Sequence, residues 1–406
     1  MRRGRALGSC RVTRLLIAGV STRAAAESAA RAGFTVTAVD AFGDLDQHPS
    51  VRALSLPRDF GARFTATRAA RAARTIACDA VAYLSSFENR PTAVGVLGSG
   101  RRLWGNPPAV LRGVRDPLLL MRGLRKRGCA TPDVSTARRP DPASADDGRR
   151  WLVKPLASGG GHGIRQWRGG PVPRGRYLQE FVDGMPGSVM FVAAEGRAVP
   201  LGISRQLVGE HAFGAREYRY CGNILTSIAG APADRRAALV DRACALAHAA
   251  ATEFGIVGVN GIDFVASDDV PYAIELNPRW SASMELVELA FGFSVFGTHA
   301  AACDRGVLPD FDLLRAQSRT ATIGKAVIFA RNEIVVGDTR GWVENSGATG
   351  VAPIRDVPHP GERILAGRPV CTVFAAGGTE SACYAALVAQ AERVYAELAA
   401  WERSAA

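Results

Sequence analysis

The amino-terminal part of the chain alternates apolar runs with amphipathic stretches. Residues 15–20 predict a buried strand, residues 24–32 predict a helix, and residues 34–39 predict a second strand. Two strands joined by a helix predict a parallel sheet. The same alternation continues with a helix at 66–74 and a strand at 80–84. We therefore predict an open α/β domain over residues 12–112.

The centre of the chain has a different pattern. Residues 132–150 are rich in Pro, Asp and Arg without a hydrophobic period, which predicts a mobile connection. Short strands are predicted on both sides of a glycine-rich segment at 158–163. Residues 234–254 repeat apolar side chains at helical spacing, so we predict a helix that leads directly into a hairpin.

The carboxy-terminal region, residues 305–406, is predicted to form an α+β domain. Strand-like runs at 326–330 and 370–375 lie among Gly and Pro turns, and residues 379–401 predict a helix. The apolar stripe of this helix consists of Tyr384, Leu387, Val388, Ala391, Tyr395 and Leu398. Such a stripe predicts that the helix docks against the body of the protein.

Length and composition indicate a folded protein of several domains. At roughly 150 residues per domain, 406 residues correspond to two or three domains, and the 47% hydrophobic and 22% charged residues are typical of globular proteins. The net charge of +12 is compatible with polyanion binding, but the chain has three lysines and its arginines are dispersed. We therefore expect no nucleic-acid partner. Residues 1–11 are predicted to be a basic extension without regular structure.

Cysteine usage and hydropathy give expectations about the compartment. The eight cysteines include no CxxC pair, so we expect reduced, mostly structural thiols. Apolar runs stay well short of the roughly 18 residues that a membrane span needs. We therefore expect a cytoplasmic protein that has no membrane partner.

A lysine and a glycine-rich loop form the first candidate site. Lys154 ends an apolar strand, and the loop after it contains Ser158, Gly159, Gly160, Gly161, His162 and Gly163. Glycines let backbone N–H groups approach phosphate oxygens, and a lysine adds positive charge. The loop is neither a Walker A motif nor a dinucleotide-binding fingerprint. A tight hairpin is the alternative interpretation, although the rarity of lysine here favours a phosphate site.

An acidic hairpin forms the second candidate site. Residues 258–265 and 272–277 predict two strands, and side-chain alternation puts Glu275 and Asn277 on one face of the second strand. A turn near residues 267–269 places Asp263 opposite Glu275, with Cβ atoms about 5 Å apart.

Three oxygen-bearing side chains would then converge on this hairpin. Ile274 and Leu276 are predicted to point to the opposite face. Two facing carboxylates repel each other unless a cation lies between them, and oxygen ligands near phosphate suit Mg²⁺. The alternative interpretation is a solvated polar face on an edge hairpin.

These motifs together resemble the ATP-grasp superfamily. The motifs that carry the resemblance are Lys154 with its glycine loop, Gln179-Glu180-Phe181-Val182-Asp183-Gly184, Asp263, and Glu275-Leu276-Asn277-Pro278-Arg279. The resemblance covers roughly residues 12–300. It is nearest to the carboligase-like branch related to biotin carboxylase and amino-acid ligases, because residues 19–23 and 277–285 look like signatures of that branch.

The resemblance implies a particular fold and particular domain boundaries. The fold is ATP-grasp, α/β and α+β in class, with a Rossmann-like preATP-grasp domain of parallel strands at 12–112. An ATP-grasp domain is expected at 113–304, with a lid subdomain at about 130–183. The C-terminal α+β domain is expected at 305–406.

The resemblance also implies roles for individual residues. Lys154 and the glycine loop would contact the ATP phosphates, and Glu180, Phe181 and Val182 would meet the adenine. Asp263, Glu275 and Asn277 would hold Mg²⁺ or Mn²⁺. Arg279 would act with Lys154 in catalysis by steadying an acyl phosphate. Substrate binding is expected near Ser21, Arg23, Ser281, Ser283 and Glu285.

Two positions depart from the family pattern. The family commonly has a lysine near the start of the grasp domain, where this chain has Val114-Arg115-Asp116-Pro117. An acidic residue that usually meets the ribose would fall near position 187, which is Gly187. These departures concern the α-phosphate and the ribose of ATP.

The function implied is an ATP-dependent ligase that joins a small-molecule carboxylate to an amine, with a homodimer as a possible assembly. Amino-acid addition to a cofactor or metabolite is one version of this reaction. A carboxylase similar to biotin carboxylase is an alternative. A non-catalytic ATP-binding sensor is a second alternative, motivated by Pro117 and Gly187.

Overall fold

The computed structural model describes residues 12–137, 148–225, 233–318, 320–344 and 353–405. The predicted basic extension at 1–11 lies outside the described residues. So does the central part of the predicted mobile connection, residues 138–147.

The amino-terminal region forms the predicted parallel sheet. Its strands are β1 (Arg14–Ala18), β2 (Thr35–Asp40), β3 (Arg52–Ser55), β4 (Ala80–Tyr83) and β5 (Arg102–Trp104). They are ordered β3-β2-β1-β4-β5, and each registered pair is parallel. The flanking helices are α1 (Arg23–Arg31), α2 (Leu56–Phe60), α3 (Ala66–Ala73), α4 (Pro91–Gly98), α5 (Pro108–Val114), α6 (Pro117–Lys126) and a 3-10 helix, Phe87–Asn89.

Most elements predicted in this region are confirmed within one or two residues. The apolar strand β1 is buried between two layers of helices, which explains why its sequence is continuously hydrophobic. The strands β3 and β5 were not predicted, because they are short and mix polar with apolar side chains.

A small antiparallel sheet carries the glycine-rich loop. Its strands are β6 (Val134–Ser135), β7 (Trp151–Pro155), β8 (Arg165–Gln166) and β9 (Arg176–Glu180), in the order β6-β9-β7-β8. The glycine-rich loop connects β7 with β8. Strand β6 lies in the segment predicted to be irregular, and it is held there by pairing with β9.

The largest sheet in the described part of the chain has eight strands. Its strands are β10 (Met185–Ala194), β11 (Arg197–Val208), β12 (Tyr220–Leu225), β13 (Gly258–Ser267), β14 (Val270–Asn277), β15 (Thr322–Phe329), β17 (Ile354–Arg355) and β19 (Pro369–Gly377). The order is β14-β13-β10-β11-β12-β15-β19-β17. The short strands β16 (Ile334–Val335) and β18 (Arg363–Ile364) pair separately.

This sheet continues across the predicted boundary at residue 305. Strand β12 precedes that boundary and pairs antiparallel with β15, which follows it. The domain boundaries at 112 and 305 remain predictions. At residue 305 one continuous sheet includes strands from both sides of the predicted boundary.

Helices cover the large sheet. They are α7 (Ala233–Phe254), α8 (Met284–Phe291), α9 (Val295–Arg305), α10 (Leu313–Gln317), α11 (Arg340–Glu344), α12 (Glu380–Ala405) and a 3-10 helix, His211–Phe213. The apolar stripe of α12 packs into the core beside β15 and β19, as predicted. No single helix among the described residues is long and apolar enough to cross a membrane. Helices α8 and α9 have the required length and hydropathy only when they are taken together, and the pair is bent by 111° at the break between them.

Candidate active site

The two carboxylates predicted to converge do so on the hairpin of β13 and β14. The antiparallel register pairs Asp263 with Glu275 and Gly261 with Asn277. The register shifts after Asp263, which leaves Ile274 as an extra residue in β14. Ile274 therefore lines the same cavity as Glu275 instead of pointing away from it, and our prediction for Ile274 is wrong.

Asp263 lies in an environment that disfavours its negative charge. Burial, and next the charge of Glu275, raise the pKa of Asp263 to about 7. Two amide groups contact this carboxylate, since Gln206 Nε2 donates to Oδ1 at 2.8 Å and Asn277 Nδ2 donates to Oδ2 at 3.0 Å. Neutral amides do not cancel a charge, so a cation would stabilise this face of the hairpin.

Glu275 has an arginine as its partner. Arg115 Nη1 donates to Glu275 Oε1 at 2.5 Å, although 160 residues separate the two in sequence. Burial opposes ionisation of Glu275, but the charges of Arg115 and Lys154 outweigh it, and the pKa of Glu275 is lowered. Sequence analysis did not identify Arg115 as a site residue.

Arg115 supplies a cation close to the position where the family lysine is missing. Asp116 accepts hydrogen bonds from the N–H groups of Leu118 and Leu119 and so caps α6, while Pro117 takes the first helical position. The helix therefore starts without a lysine. The side chain of Arg115, one residue before the cap, lines the cavity instead.

The oxygen ligands on the hairpin fit a hard divalent cation. The part of the chain that the structure describes has no cluster of three His, Cys, Asp or Glu side chains suited to a metal. The candidate set is therefore two carboxylates, Asp263 and Glu275, with the amide oxygen of Asn277. Carboxylate and amide oxygens are ligands that Mg²⁺ accepts, especially with phosphate oxygens completing the shell.

Arg279 lies at the end of this set and is tied to the amino-terminal region. Its Nε and Nη2 donate to Glu88 Oε1 at 2.9 and 2.7 Å, and Nη2 also donates to Asn277 Oδ1 at 3.1 Å. Glu88 is 2% exposed and lies on the 3-10 helix after β4. Sequence analysis did not identify Glu88 either, since no local motif marks it.

Lys154 and Glu275 of the hairpin line the same cavity. Its lining combines the charged side chains of Arg115, Lys154 and Glu275 with apolar side chains. The apolar lining includes Val114, Pro117, Leu120, Met121, Leu156, Ile164 and Ile274. A cavity with an apolar wall next to cations suits a ligand with a flat apolar part and an anionic part.

The glycine loop closes over this cavity. Ser158, Gly159 and Gly161 line it, and Gly160, Gly161 and Gly163 have φ values of +61°, +76° and +72°. A Cβ atom at Gly161 would lie 1.7 Å from the carbonyl oxygen of Tyr218. The loop connects the antiparallel strands β7 and β8 through residues 156–164, which is longer than the tight hairpin of our alternative interpretation. Its glycines permit docking on the neighbouring segment at Tyr218.

Three hydrogen bonds from separate regions hold the loop in its docked position. The N–H of Tyr220 donates to the carbonyl oxygen of Gly160 at 3.2 Å. The carbonyl oxygen of Ser158 accepts from Arg115 Nη2 at 3.2 Å and from Asn89 Nδ2 at 3.3 Å. The loop, the hairpin and the amino-terminal region therefore meet at one place.

Gln179 contacts Lys154, which lines the cavity, whereas the Glu180 carboxylate lies on the other face of β9. Lys154 Nζ donates to Gln179 Oε1 at 2.8 Å, and Gln179 Nε2 donates to the carbonyl oxygen of Ile274 at 3.1 Å. Glu180 Oε2 instead accepts from the N–H of Asp133 at 3.1 Å. The reason is alternation along β9, which turns adjacent side chains to opposite faces.

The role implied for the Glu180 side chain is therefore corrected. Its carboxylate is engaged on the opposite face of β9, and Gln179 is the residue of this pair that holds the cavity-lining Lys154. Phe181 and Val182 follow β9 and are partly buried, and the N–H of Phe181 donates to the carbonyl oxygen of Arg150 at 2.7 Å. Contacts of these two residues with adenine remain predictions.

We expect Gln179→Ala to weaken the binding of an ATP analogue about tenfold, because Lys154 loses the buried amide oxygen that orients its ammonium group. Glu180→Ala should leave the affinity unchanged, because its carboxylate lies on the other face of β9. Calorimetric titration of both variants measures this. A loss of affinity with Glu180→Ala alone would contradict the assignment.

Close packing explains why position 187 is a glycine. A Cβ atom there would lie 2.7 Å from the ring of Phe264 and 3.1 Å from the carbonyl oxygen of Ser204. An acidic side chain therefore has no room at this position. The departure from the family pattern follows from close packing of neighbouring strands in the large sheet.

Two of the five residues predicted to bind substrate form an ion pair. Arg23 Nη2 donates to Glu285 Oε1 at 2.6 Å, and Lys325 Nζ donates to Glu285 Oε2 at 2.6 Å. Arg23 Nε also donates to Asp356 at 2.8 Å. The same buried cluster includes Glu27, Asp46 and Arg355.

This cluster joins the amino-terminal region, α8 and the carboxy-terminal strands. Burial opposes ionisation of Glu285, but the charges of Arg23, Lys325 and Arg355 outweigh it, and the pKa of Glu285 is lowered. Ser281 and Ser283 contact each other at 3.0 Å between hydroxyl oxygens, and Ser21 is exposed. Substrate contacts of all five residues remain predictions.

Comparison with known proteins supports the resemblance to the ATP-grasp superfamily. A family model described as the ATP-grasp domain matches residues 114–283. No curated protein matches the chain in sequence. The solved structure of the L-amino acid ligase from Bacillus licheniformis is 17% identical, covers 94% of this chain and 98% of that one, and superposes with a TM-score of 0.66.

Two further solved structures are similar along nearly their whole length. N5-carboxyaminoimidazole synthetase from Staphylococcus aureus is 15% identical over 94% of this chain and 97% of that one, with a TM-score of 0.65. The biotin carboxylase domain of Hydrogenobacter thermophilus 2-oxoglutarate carboxylase, solved with MgADP and bicarbonate, is 15% identical over 91% and 87%, with a TM-score of 0.64. Residues 114–283 of this chain therefore belong to the ATP-grasp family, and the protein has the ATP-grasp fold.

Proposed function

We propose that this protein is an ATP-dependent ligase, which activates a carboxylate as an acyl phosphate and transfers the acyl group to an amine. One observation carries the proposal. Lys154, the glycine loop and Glu275 line a single cavity that also has an apolar wall. This arrangement combines an anion-binding loop, a cation and metal-type oxygen ligands around a space that suits a nucleotide.

The side chains of this chain would share the work of phosphoryl transfer. Lys154 offsets the negative charge of the phosphates, and the loop at 158–163 closes over them and excludes water. Arg279 emerges beside Asn277 and steadies the oxygens of the acyl phosphate. Asp263, Glu275 and Asn277 would hold Mg²⁺, which supplies charge neutralisation at the phosphates when bound.

Arg115 would exchange partners as ATP enters. In this structure it neutralises Glu275 and holds the carbonyl oxygen of Ser158. With Mg²⁺ held on this face, Glu275 would no longer need Arg115 as its counter-charge, and the guanidinium would be placed to contact phosphate oxygens. Arg115 thus compensates for the missing family lysine, and this favours turnover over the sensor alternative.

The proposal is tested by ADP release. Purified protein with Mg·ATP is offered a carboxylate pool, an amine pool, both pools, or bicarbonate, and ADP is measured against time. We expect release that requires a carboxylate and increases when an amine is added, because the acyl phosphate is then consumed.

Other outcomes of this assay separate the alternatives. Release with bicarbonate alone would favour the carboxylase. Binding of Mg·ATP without release under any condition would favour the non-catalytic sensor. Either result overturns the proposed ligase.

A further inference from the structure

The two carboxylate oxygens of the buried residue Glu88 differ in their hydrogen bonds. Its Oε1 accepts from both Nε and Nη2 of Arg279, at 2.9 and 2.7 Å. Its Oε2 is buried and accepts no hydrogen bond from any described side chain or backbone group. Burying a carboxylate oxygen without a hydrogen-bond donor is unfavourable. A ligand that donates a hydrogen bond to this oxygen would remove that cost.

The next residue, Asn89, also has a buried oxygen without a hydrogen-bond donor. Asn89 Nδ2 donates to the carbonyl oxygen of Ser158 in the lid, which orients its amide. Its Oδ1 is then left buried and without a partner in the described structure. Two adjacent residues on one 3-10 helix, one bound to the proposed catalytic arginine and one to the lid, therefore each present an unpaired acceptor.

The other carboxylates around the site have hydrogen-bond donors or belong to the proposed metal site. Both oxygens of Asp263 accept hydrogen bonds from amides, and both oxygens of Glu285 accept from cationic side chains. Glu275 is bonded to Arg115. Tyr83, which lies close to Glu88, donates its hydroxyl to the carbonyl oxygen of Asn106. Among these carboxylates, Glu88 is the one with a buried oxygen that has no hydrogen-bond donor in the described structure.

Unpaired acceptors beside a carboxylate select a ligand that donates hydrogen bonds and carries positive charge. A primary ammonium group has three N–H donors and matches both features. We propose that Glu88 Oε2 binds the attacking amine and accepts its proton, with Asn89 Oδ1 as a second acceptor. This inference rests on the proposed ligase function and names the residue that handles its second substrate.

In the proposed step the amine loses two protons and replaces the phosphate on the acyl carbon. The ammonium gives one proton to Glu88 Oε2 and becomes a neutral amine. Its nitrogen lone pair then forms a bond to the acyl carbon, and the carbon–oxygen bond to the phosphoryl group breaks. The phosphate leaves with that electron pair and takes the second proton, and Glu88 later releases the first proton to water.

One carboxylate would thereby connect the two halves of the reaction. Its Oε1 holds Arg279, which is proposed to contact the acyl phosphate, while its Oε2 holds the amine. Because both oxygens belong to one rigid group, the amine is kept at a set position relative to the arginine.

The experiment uses Glu88→Gln, since an amide oxygen can still accept from Arg279 but the group cannot take a proton. Two products are measured with the carboxylate found in the ADP-release screen. Hydroxamate formed with hydroxylamine, a neutral nucleophile near pH 7, reports on the acyl phosphate. Amide formed with the amine substrate reports on the complete reaction.

We expect Glu88→Gln to lower amide formation about 100-fold or more while hydroxamate formation stays within about threefold of wild type. The residual amide rate should rise with pH, because more of the amine is then unprotonated without a base. Asp304→Asn is the matched control. It removes a carboxylate that accepts from an arginine of the amino-terminal region, Arg102, at 3.0 Å, and both products should remain.

Three results would overturn the inference. Equal loss of both products would show that Glu88 serves only to hold Arg279. Unchanged amide formation would show that Glu88 has no part in the second step. If wild-type protein forms no hydroxamate with any carboxylate, the proposed function itself fails, and that outcome is distinct from a defect confined to the variant.

Discussion

Glu275→Gln should reduce ADP release by about 100- to 1,000-fold, the range seen when one preorganised electrostatic contact to a transition state is removed. Glu275 contributes negative charge to the face that would hold Mg²⁺, and it is paired with Asp263 across the hairpin. The substitution also removes the charge that holds Arg115 at 2.5 Å, so the guanidinium loses its fixed position. Initial rates of ADP release at saturating carboxylate and amine measure the effect.

Glu253→Gln is the matched control for this variant. Glu253 also pairs with an arginine, with Arg127 Nε at 2.9 Å, but at the end of α7 rather than at the cavity. Its substitution should leave ADP release unchanged. If Glu275→Gln turned over at the wild-type rate, the assignment of Glu275 as a metal ligand would be wrong.

Lys154→Met should weaken the binding of Mg·ATP by about 10- to 100-fold, which corresponds to the loss of a charge-assisted hydrogen bond of about 1.5–3 kcal/mol. Methionine is similar in length and apolar, so it removes the charge with little change in volume. Lys154 is 7% exposed, and water cannot easily replace its contact with phosphate. Calorimetric titration with a non-hydrolysable ATP analogue measures the affinity.

The control for this variant is Lys126→Met. Lys126 is exposed at the end of α6 and pairs with Glu253 at 3.2 Å, so its loss should not alter ATP affinity. Thermal unfolding of both variants checks that they remain folded. Wild-type affinity in Lys154→Met would place the phosphates elsewhere and contradict the proposed orientation of ATP in the cavity.

Local patterns were sufficient for much of the fold and part of the site. The continuous apolar strands and intervening helices of residues 12–112 predicted a parallel sheet, because burial on both faces leaves that mark on the sequence. The pairing of Asp263 with Glu275 also followed from sequence, because a hairpin with a short turn has its register set by neighbouring residues. Lys154 and the glycine loop stood out for the same reason, since they are contiguous.

Other features of the site depend on contacts between distant parts of the chain. Glu88 and Arg279 are 191 residues apart, and Arg115 and Glu275 are 160 residues apart. No local motif marks Glu88, and near Arg115 the sequence showed only that the family lysine is missing. Their roles arise only when the amino-terminal sheet, the lid and the hairpin pack together.

Small shifts of backbone register decided the remaining differences. The extra residue at Ile274 turned that side chain into the cavity, and alternation along β9 selected Gln179 over its neighbour Glu180. A motif indicates which few residues are near a site, because spacing along the chain is preserved. Which side chain faces the ligand is decided by strand pairing, because a displacement of one residue reverses the face to which a side chain points.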